Sequence, residues 1–297
     1  FTNIKNVALL DVDQMYGIEI EEFPARIAEV AMWLIDHQMN QRLSKEFGVY
    51  FLRLPLQKAA NILHANALRV DWSTLLKPRI IETYFYDMGK KEVAGKVKEV
   101  KDDYAYILGN PPFIGKQLQN QRQKEDLELV FQNIKGAGVL DYVSAWYLKA
   151  TQYIQNTKIK VAFVSTNSVA QGEQVGILWN ELFSKYKIKI HFAHRTFSWS
   201  NEAKGNAAVH VVIIGFANFD TSNKKLFDYE DIKGDPHEII VKNINPYLVE
   251  GKDLVVLKRT TPISKVPEIS FGSMPNDGGH FLFTDEEKNE FLKKYFK

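Results

Sequence analysis

The stretch 104-YAYILGNPPFIGK-116 decides how the rest of the chain is read. Tyr104 to Leu108 is an apolar run that reads as a strand, and two consecutive prolines stop it. Pro111 and Pro112 lack N–H groups and have fixed φ, so the chain leaves the strand along a stiff path that aims a carbonyl at a fixed point. Asn110 adds a side-chain acceptor and donor. Phe113 adds a flat face for stacking. Together they suit a planar group with an exocyclic amine: the Asn110 oxygen and the Pro111 carbonyl accept its two N–H bonds, and Phe113 covers the ring. A strand-terminating turn with an apolar anchor is the competing reading of the same four residues.

Working outward, 15-MYGIEI-20 reads as a short buried strand. In 23-FPARIAEVAMWLIDHQMNQRL-43, Pro24 suits a first helical turn, and Ile27, Val30, Ala31, Leu34 and Ile35 recur at helical spacing. Residues 59-AANILHANAL-68 form a third element that leads into a polar turn. Lys77 to Asp103, rich in Lys, Glu and Asp, is expected to be a solvated connection. Beyond the opening stretch come a helix from about Leu140 to Ile154, the strand in 158-KIKVAFVSTNS-168, the helix 172-GEQVGILWNELFSKY-186, and strands in 187-KIKIHFAHR-195 and 207-AAVHVVIIGFANF-219. This alternation predicts an α/β fold with a parallel sheet and crossover helices. In such sheets ligands bind beyond the carboxyl ends of the strands, which is where Asn110 sits. After about Asp220 short strand-like pieces, Pro and Gly take over. The expected division is therefore residues 1–220 and 221–297.

Composition bounds the rest. The chain has 297 residues, 45% of them hydrophobic and 25% charged, as in an ordinary globular protein of one large domain or two. A net charge of +2 is too small to argue for nucleic-acid binding by itself, and with no cysteine there is no disulfide framework or thiolate metal site. There is no apolar run of transmembrane length and no signal peptide, so no membrane partner is expected. His191 and His194, three apart on a strand, point to opposite faces, and no metal site is proposed. Gly136 and Gly138 belong to no complete phosphate loop and read as a turn before a helix. Lys98 to Asp103 reads as a solvated charge run and not as a nuclease motif.

The longer runs resemble a known family. Asn110-Pro111-Pro112-Phe113 is similar to the catalytic motif of amino-methyltransferases that use S-adenosylmethionine. Gly109–Phe131, Gly136–Ala150, Val161–Phe183 and Phe197–Phe219 resemble the methyltransferase part of MmeI-like enzymes, as do Tyr16–Leu34 and Asn66–Trp72. These are single-chain type II restriction-modification enzymes. Lys265–Glu287 resembles the start of their target-recognition region. The resemblance implies a class I methyltransferase fold, Rossmann-like with a mostly parallel sheet, followed by a β-rich recognition domain. It implies DNA adenine-N6 methylation, S-adenosylmethionine as cofactor, double-stranded DNA as partner, and the bacterial cytoplasm as location. A nuclease domain is expected on the same full-length protein, outside these residues.

Carried over residue by residue, Asn110, Pro111, Pro112 and Phe113 are the catalytic corner, and Asn110 also faces the cofactor. Glu19, with Ile20 beside it, ends a strand where an acidic residue accepts bonds from ribose hydroxyls; a surface carboxylate is the plain alternative. Asn66 and Ala67 lie beside the cofactor adenine, with Leu68 as an apolar wall; a turn-forming Asn is the alternative. Phe197 is placed against the flipped base opposite Phe113, with Trp199 two residues on as a substitute and a core aromatic as the plain reading of both. Phe1 in place of Met, and residues 1–18 with only Gly17, predict a fragment that lacks the first strand and its glycine loop. Two further functions stay open. Methyltransferases of release-factor glutamine or RNA guanine share the motif, and a catalytically incomplete DNA-binding fragment would also carry it.

Overall fold

The computed structural model describes residues 10–48, 59–76, 79–87, 92–100, 103–199, 209–259, 261–266 and 282–295. The chain divides into two compact units, Phe1–Leu257 and Lys258–Lys297. The first carries the α/β fold. Its strand β1 (Tyr16–Glu19) leads into helix α1 (Glu22–Phe47), which ends at Gly48 in the left-handed conformation, and then into β2 (Asn61–His64). β1 and β2 pair in parallel, Tyr16 opposite Asn61 and Glu19 opposite His64. A hairpin of β3 (Arg79–Asp87) and β4 (Glu92–Val100) follows. Next come β5 (Tyr106–Gly109), α2 (Gln121–Val130), α3 (Ser144–Tyr153), β6 (Lys160–Thr166), α4 (Gly172–Ser184), β7 (Lys189–Trp199), β8 (Val209–Ala217), β9 (Lys224–Asp228) and β10 (His237–Val241).

The main sheet has the order β10-β9-β7-β8-β6-β5. β5 and β6 run parallel, joined through α2 and α3, and β7 and β9 run parallel because β8 reverses the chain between them. β8 runs antiparallel to both of its neighbours, since its link from β7 is too short for a crossover. The core lies where α3 and α4 meet this sheet. Tyr147, Trp179, Phe163 and Phe216 are fully buried there, with Tyr147 stacked on Phe216 at 5.6 Å and edge-on to Phe163 at 5.3 Å. Their polar tips are satisfied: Trp179 Nε1 donates to the Val169 carbonyl at 2.7 Å, and the Tyr147 and Ser165 hydroxyls are 2.8 Å apart.

The strands and helices expected near the opening stretch are present, but the expected burial of residues 15–20 is only partial, with Ile20 54% exposed, and further features differ. The charge-rich segment 77–103 contains the β3–β4 hairpin, because Ile80, Thr83, Tyr84 and Phe85 give it β propensity between the Lys and Glu residues. In α1 the stripe Ile27, Val30, Leu34 and Ile35 is about half exposed, so this face is not part of the core. The change of composition at Asp220 does not end the first unit. β9 pairs with β7, and the buried Lys224 (1% exposed) bonds Asp220 at 2.9 Å and Asn243 at 2.5 Å. Asn243 in turn donates to the Gly251 carbonyl at 2.8 Å, which stitches the short segment after β10 onto the sheet. The second unit contributes helix α5 (Asp285–Tyr295); most of the expected recognition-like stretch, 267–281, lies outside the described residues. Gly136 has φ +86° and turns the chain ahead of α3, as expected. Among the described residues no helix is long and apolar enough to cross a membrane.

Candidate active site

The corner is built by the end of β5. A Cβ on Gly109 would come within 3.1 Å of the Phe163 ring, so the lack of a side chain lets β5 lie close against β6 as it ends. Pro111 is buried while Asn110 is exposed, which anchors the turn and leaves the amide facing outward. Among the described residues neither the Asn110 amide nor the Pro111 carbonyl has a hydrogen-bond partner. The Ile114 N–H donates to the Pro112 carbonyl at 3.1 Å and closes a tight turn. From behind, the Tyr142 N–H donates to the Ile114 carbonyl at 2.9 Å, and Gln119 Nε2 donates to the Leu140 carbonyl at 3.0 Å. The acceptors at the corner are thus held rigidly and left free.

A cavity of about 1210 Å³ opens beside the corner, between β1 and β5. Its walls bring together most of the expected residues: Glu19, Ile20, Asn66, Ala67, Asn110, Pro111 and Pro112. β1 pairs only with β2 and β5 only with β6 among the described residues, so one edge of each strand carries no neighbour. The Glu19 carboxylate, at the end of β1, accepts the Glu21 N–H at 3.2 Å and faces the cavity.

Four expected residues have local surroundings of their own. Asn66 lines the cavity with its amide partly engaged: its oxygen accepts the Leu68 N–H at 2.9 Å, and its nitrogen donates to Asp126 at 2.8 Å. Leu68 is 2% exposed and belongs to the core, so it is no cavity wall. Phe113 is half-buried beside the corner and is not part of the cavity wall. Phe197 stacks on Tyr229 at 5.1 Å, in an aromatic group on β7 and β9 that also holds His194 and Phe227 at 4.1 Å. His191 and His194 each bond locally, to the Phe219 carbonyl and the Tyr229 hydroxyl, both at 2.7 Å.

Residues that sequence reading passed over complete the site. Tyr142 and Trp146 meet edge-on at 5.1 Å, and Tyr16 meets Tyr104 edge-on at 5.5 Å; all four line the cavity. Burial pushes the Tyr104 and Tyr142 hydroxyls above the ordinary range, and for Tyr142 the adjoining Asp126 adds to the effect. Asp126 is 2% exposed and takes hydrogen bonds from Tyr142 Oη (2.6 Å), Arg69 Nε (2.6 Å) and Asn66 Nδ2. Burial alone would raise its pKa, but these three donors outweigh it and hold the carboxyl below the usual value. Two aromatics four residues apart, one in the turn ahead of α3 and one in its first turn, were a readable sign. Asp126 had no such sign, since its partners are far away in the sequence.

Residues 2–228 match the MmeI DNA-methyltransferase domain, and residues 250–297 match the MmeI target recognition domain. DNA methyltransferase A of Bacillus subtilis (strain 168) is 44% identical over 291 residues, covering 97% of this chain and 30% of that protein. The solved structure of the type IIL restriction-modification enzyme MmeI in complex with DNA is 52% identical and covers 98% of this chain and 36% of that one, with a TM-score of 0.79. The chain therefore spans about a third of the length of these relatives. DNA methyltransferases in general use S-adenosylmethionine. With an α/β fold, a free Asn-Pro acceptor pair at a strand end and matches over nearly all of its length, the chain belongs to the MmeI DNA-methyltransferase domain family and carries residues of the adjoining target recognition domain.

Proposed function

We propose that this chain is the methyl-transferring part of a site-specific DNA adenine-N6 methyltransferase within a restriction-modification enzyme. The observation that carries the reading is the free pair of acceptors, the Asn110 amide oxygen and the Pro111 carbonyl, at the end of β5 beside a large cavity. The partner is double-stranded DNA, and the restriction activity is assigned to a part of the longer protein outside these residues.

The cavity residues fit S-adenosylmethionine. Glu19 offers an acceptor to a ribose diol, while Ile20, Ala67 and Trp146 offer apolar surface to an adenine. Asn110 and Pro111 line the same cavity. S-adenosylmethionine supplies an electrophilic methyl group.

The residues of the chain do the rest. An adenine inside a duplex reaches the corner only when flipped out, at a cost of a few kcal/mol. Stacking on Phe113 returns about 1–3 kcal/mol. The N6 lone pair is delocalised into the ring and is a poor nucleophile. Asn110 and Pro111 accept its two N–H bonds, which favours the positive charge that develops as N6 becomes tetrahedral. Because the corner is braced by Tyr142 and Gln119, N6 is held in line without reorganisation.

Asn110→Ala in the complete protein tests this. It is expected to abolish methyl transfer to DNA while DNA binding, measured by gel shift, stays within about twofold, since phosphate contacts and not N6 contacts dominate that affinity. Normal methylation by the variant would overturn the assignment.

A further inference from the structure

We propose that Asp126 is a positioning residue that locks the loop after β2, a wall of the cofactor cavity, to the segment bracing the catalytic corner. The inference rests on the function proposed above and deepens it.

Asp126 sits on α2, the helix that follows the corner, with its carboxylate 2% exposed at the cavity wall. Its three donors come from two other parts of the chain. Asn66 and Arg69 belong to the loop after β2, and Tyr142 leads into α3. Tyr142 is engaged at both ends: its hydroxyl reaches Asp126 at 2.6 Å, and its N–H reaches the Ile114 carbonyl at 2.9 Å. A continuous path of hydrogen bonds thus runs from the corner through Tyr142 and Asp126 to Asn66.

The loop needs this support. It presents Ala65, Asn66 and Ala67 to the cavity, and a wall of backbone and short side chains keeps its shape only if held from behind. Lys149 Nζ bonds the Leu68 carbonyl at 2.8 Å, and Trp72 Nε1 bonds the Ala67 carbonyl at 2.9 Å, but neither reaches the corner. Among the described residues, Asp126 connects the two. The charge matters as well as the shape. A carboxylate accepts all three donors, whereas an amide turns an N–H toward at least one of them.

The test uses the complete protein with Asp126→Asn and, because that variant disturbs a buried charge, also Tyr142→Phe. The second keeps the ring and its contact with Trp146 and removes only the hydroxyl. The probes are S-adenosylhomocysteine by calorimetry, and steady-state kinetics with S-adenosylmethionine and DNA. Losing one or two such bonds is expected to weaken cofactor binding roughly threefold to tenfold. Cofactor KM should rise more than kcat falls, and DNA KM should not follow it. A purely structural role would lower the melting temperature and the active fraction without moving cofactor affinity. Unchanged affinity in folded Tyr142→Phe and Asp126→Asn overturns the proposal. A wild type that binds no S-adenosylhomocysteine overturns the methyltransferase reading itself, and this proposal with it.

Discussion

Asn66 and Asn110 are the same residue put to opposite uses. Asn110 was legible because two prolines beside it dictate a rigid strand end, and the structure leaves its amide free. The setting of Asn66 was not, because a partner of its amide is Asp126, sixty residues away in sequence. Local composition carries no trace of such a pairing. The Asp126 carboxyl is held below its usual value, whereas in the unfolded chain it titrates near about 3.9. Its contribution to stability is therefore complete above the unfolded pKa and lost as pH falls through the folded value. Urea melts over an acid series are expected to show Asp126→Asn losing stability less steeply below about pH 4 than the wild type. Equal slopes would mean that the carboxylate is not the group that titrates. At Phe113 the flat face is what matters. Phe113→Ala should reduce trapping of a flipped 2-aminopurine, read by its fluorescence, more than Phe113→Tyr or Phe113→Trp, which keep a π-face worth about 1–3 kcal/mol. Identical signals from all three would make Phe113 a packing residue.

At the scale of elements, most strands and helices were readable from their periodicity, while strand direction and exposure were not. β8 lies between β6 and β7 and opposes both, a relation set by connection length and pairing rather than by its own apolar run. The stripe on α1 has core-like spacing yet stands half exposed, because spacing specifies a shared face and not what covers it. The hairpin β3–β4 was obscured by its Lys and Glu content, which outweighed its β-branched and aromatic positions. Close packing between β7 and β8 depends on one small residue. The Phe192 ring covers Gly215, and a Cβ there would fall 2.0 Å from it. Gly215→Ala should cost about 1–3 kcal/mol in urea unfolding, as overpacked core sites do. Adding Phe192→Leu should recover part of that loss. An unaffected Gly215→Ala midpoint would show that the ring moves freely away.

The whole molecule is an α/β unit reaching Leu257 and a second unit from Lys258. The composition shift near Asp220 was visible in the sequence, but the stitching of Lys224 and Asn243 that extends the first unit was not, since it depends on side chains meeting across a fold. The cavity that holds the proposed chemistry lies between edges of β1 and β5 that carry no neighbouring strand among the described residues. The identity of the methylated atom decides between adenine-N6 transfer and the other chemistries of this motif. Mixed-sequence duplex DNA is incubated with the complete protein and methyl-labelled S-adenosylmethionine, digested to nucleosides and separated by chromatography with mass detection. Label is expected in N6-methyladenine alone; label in methylcytosine, or an unlabelled DNA beside labelled protein glutamine or RNA guanine, would contradict adenine-N6 transfer.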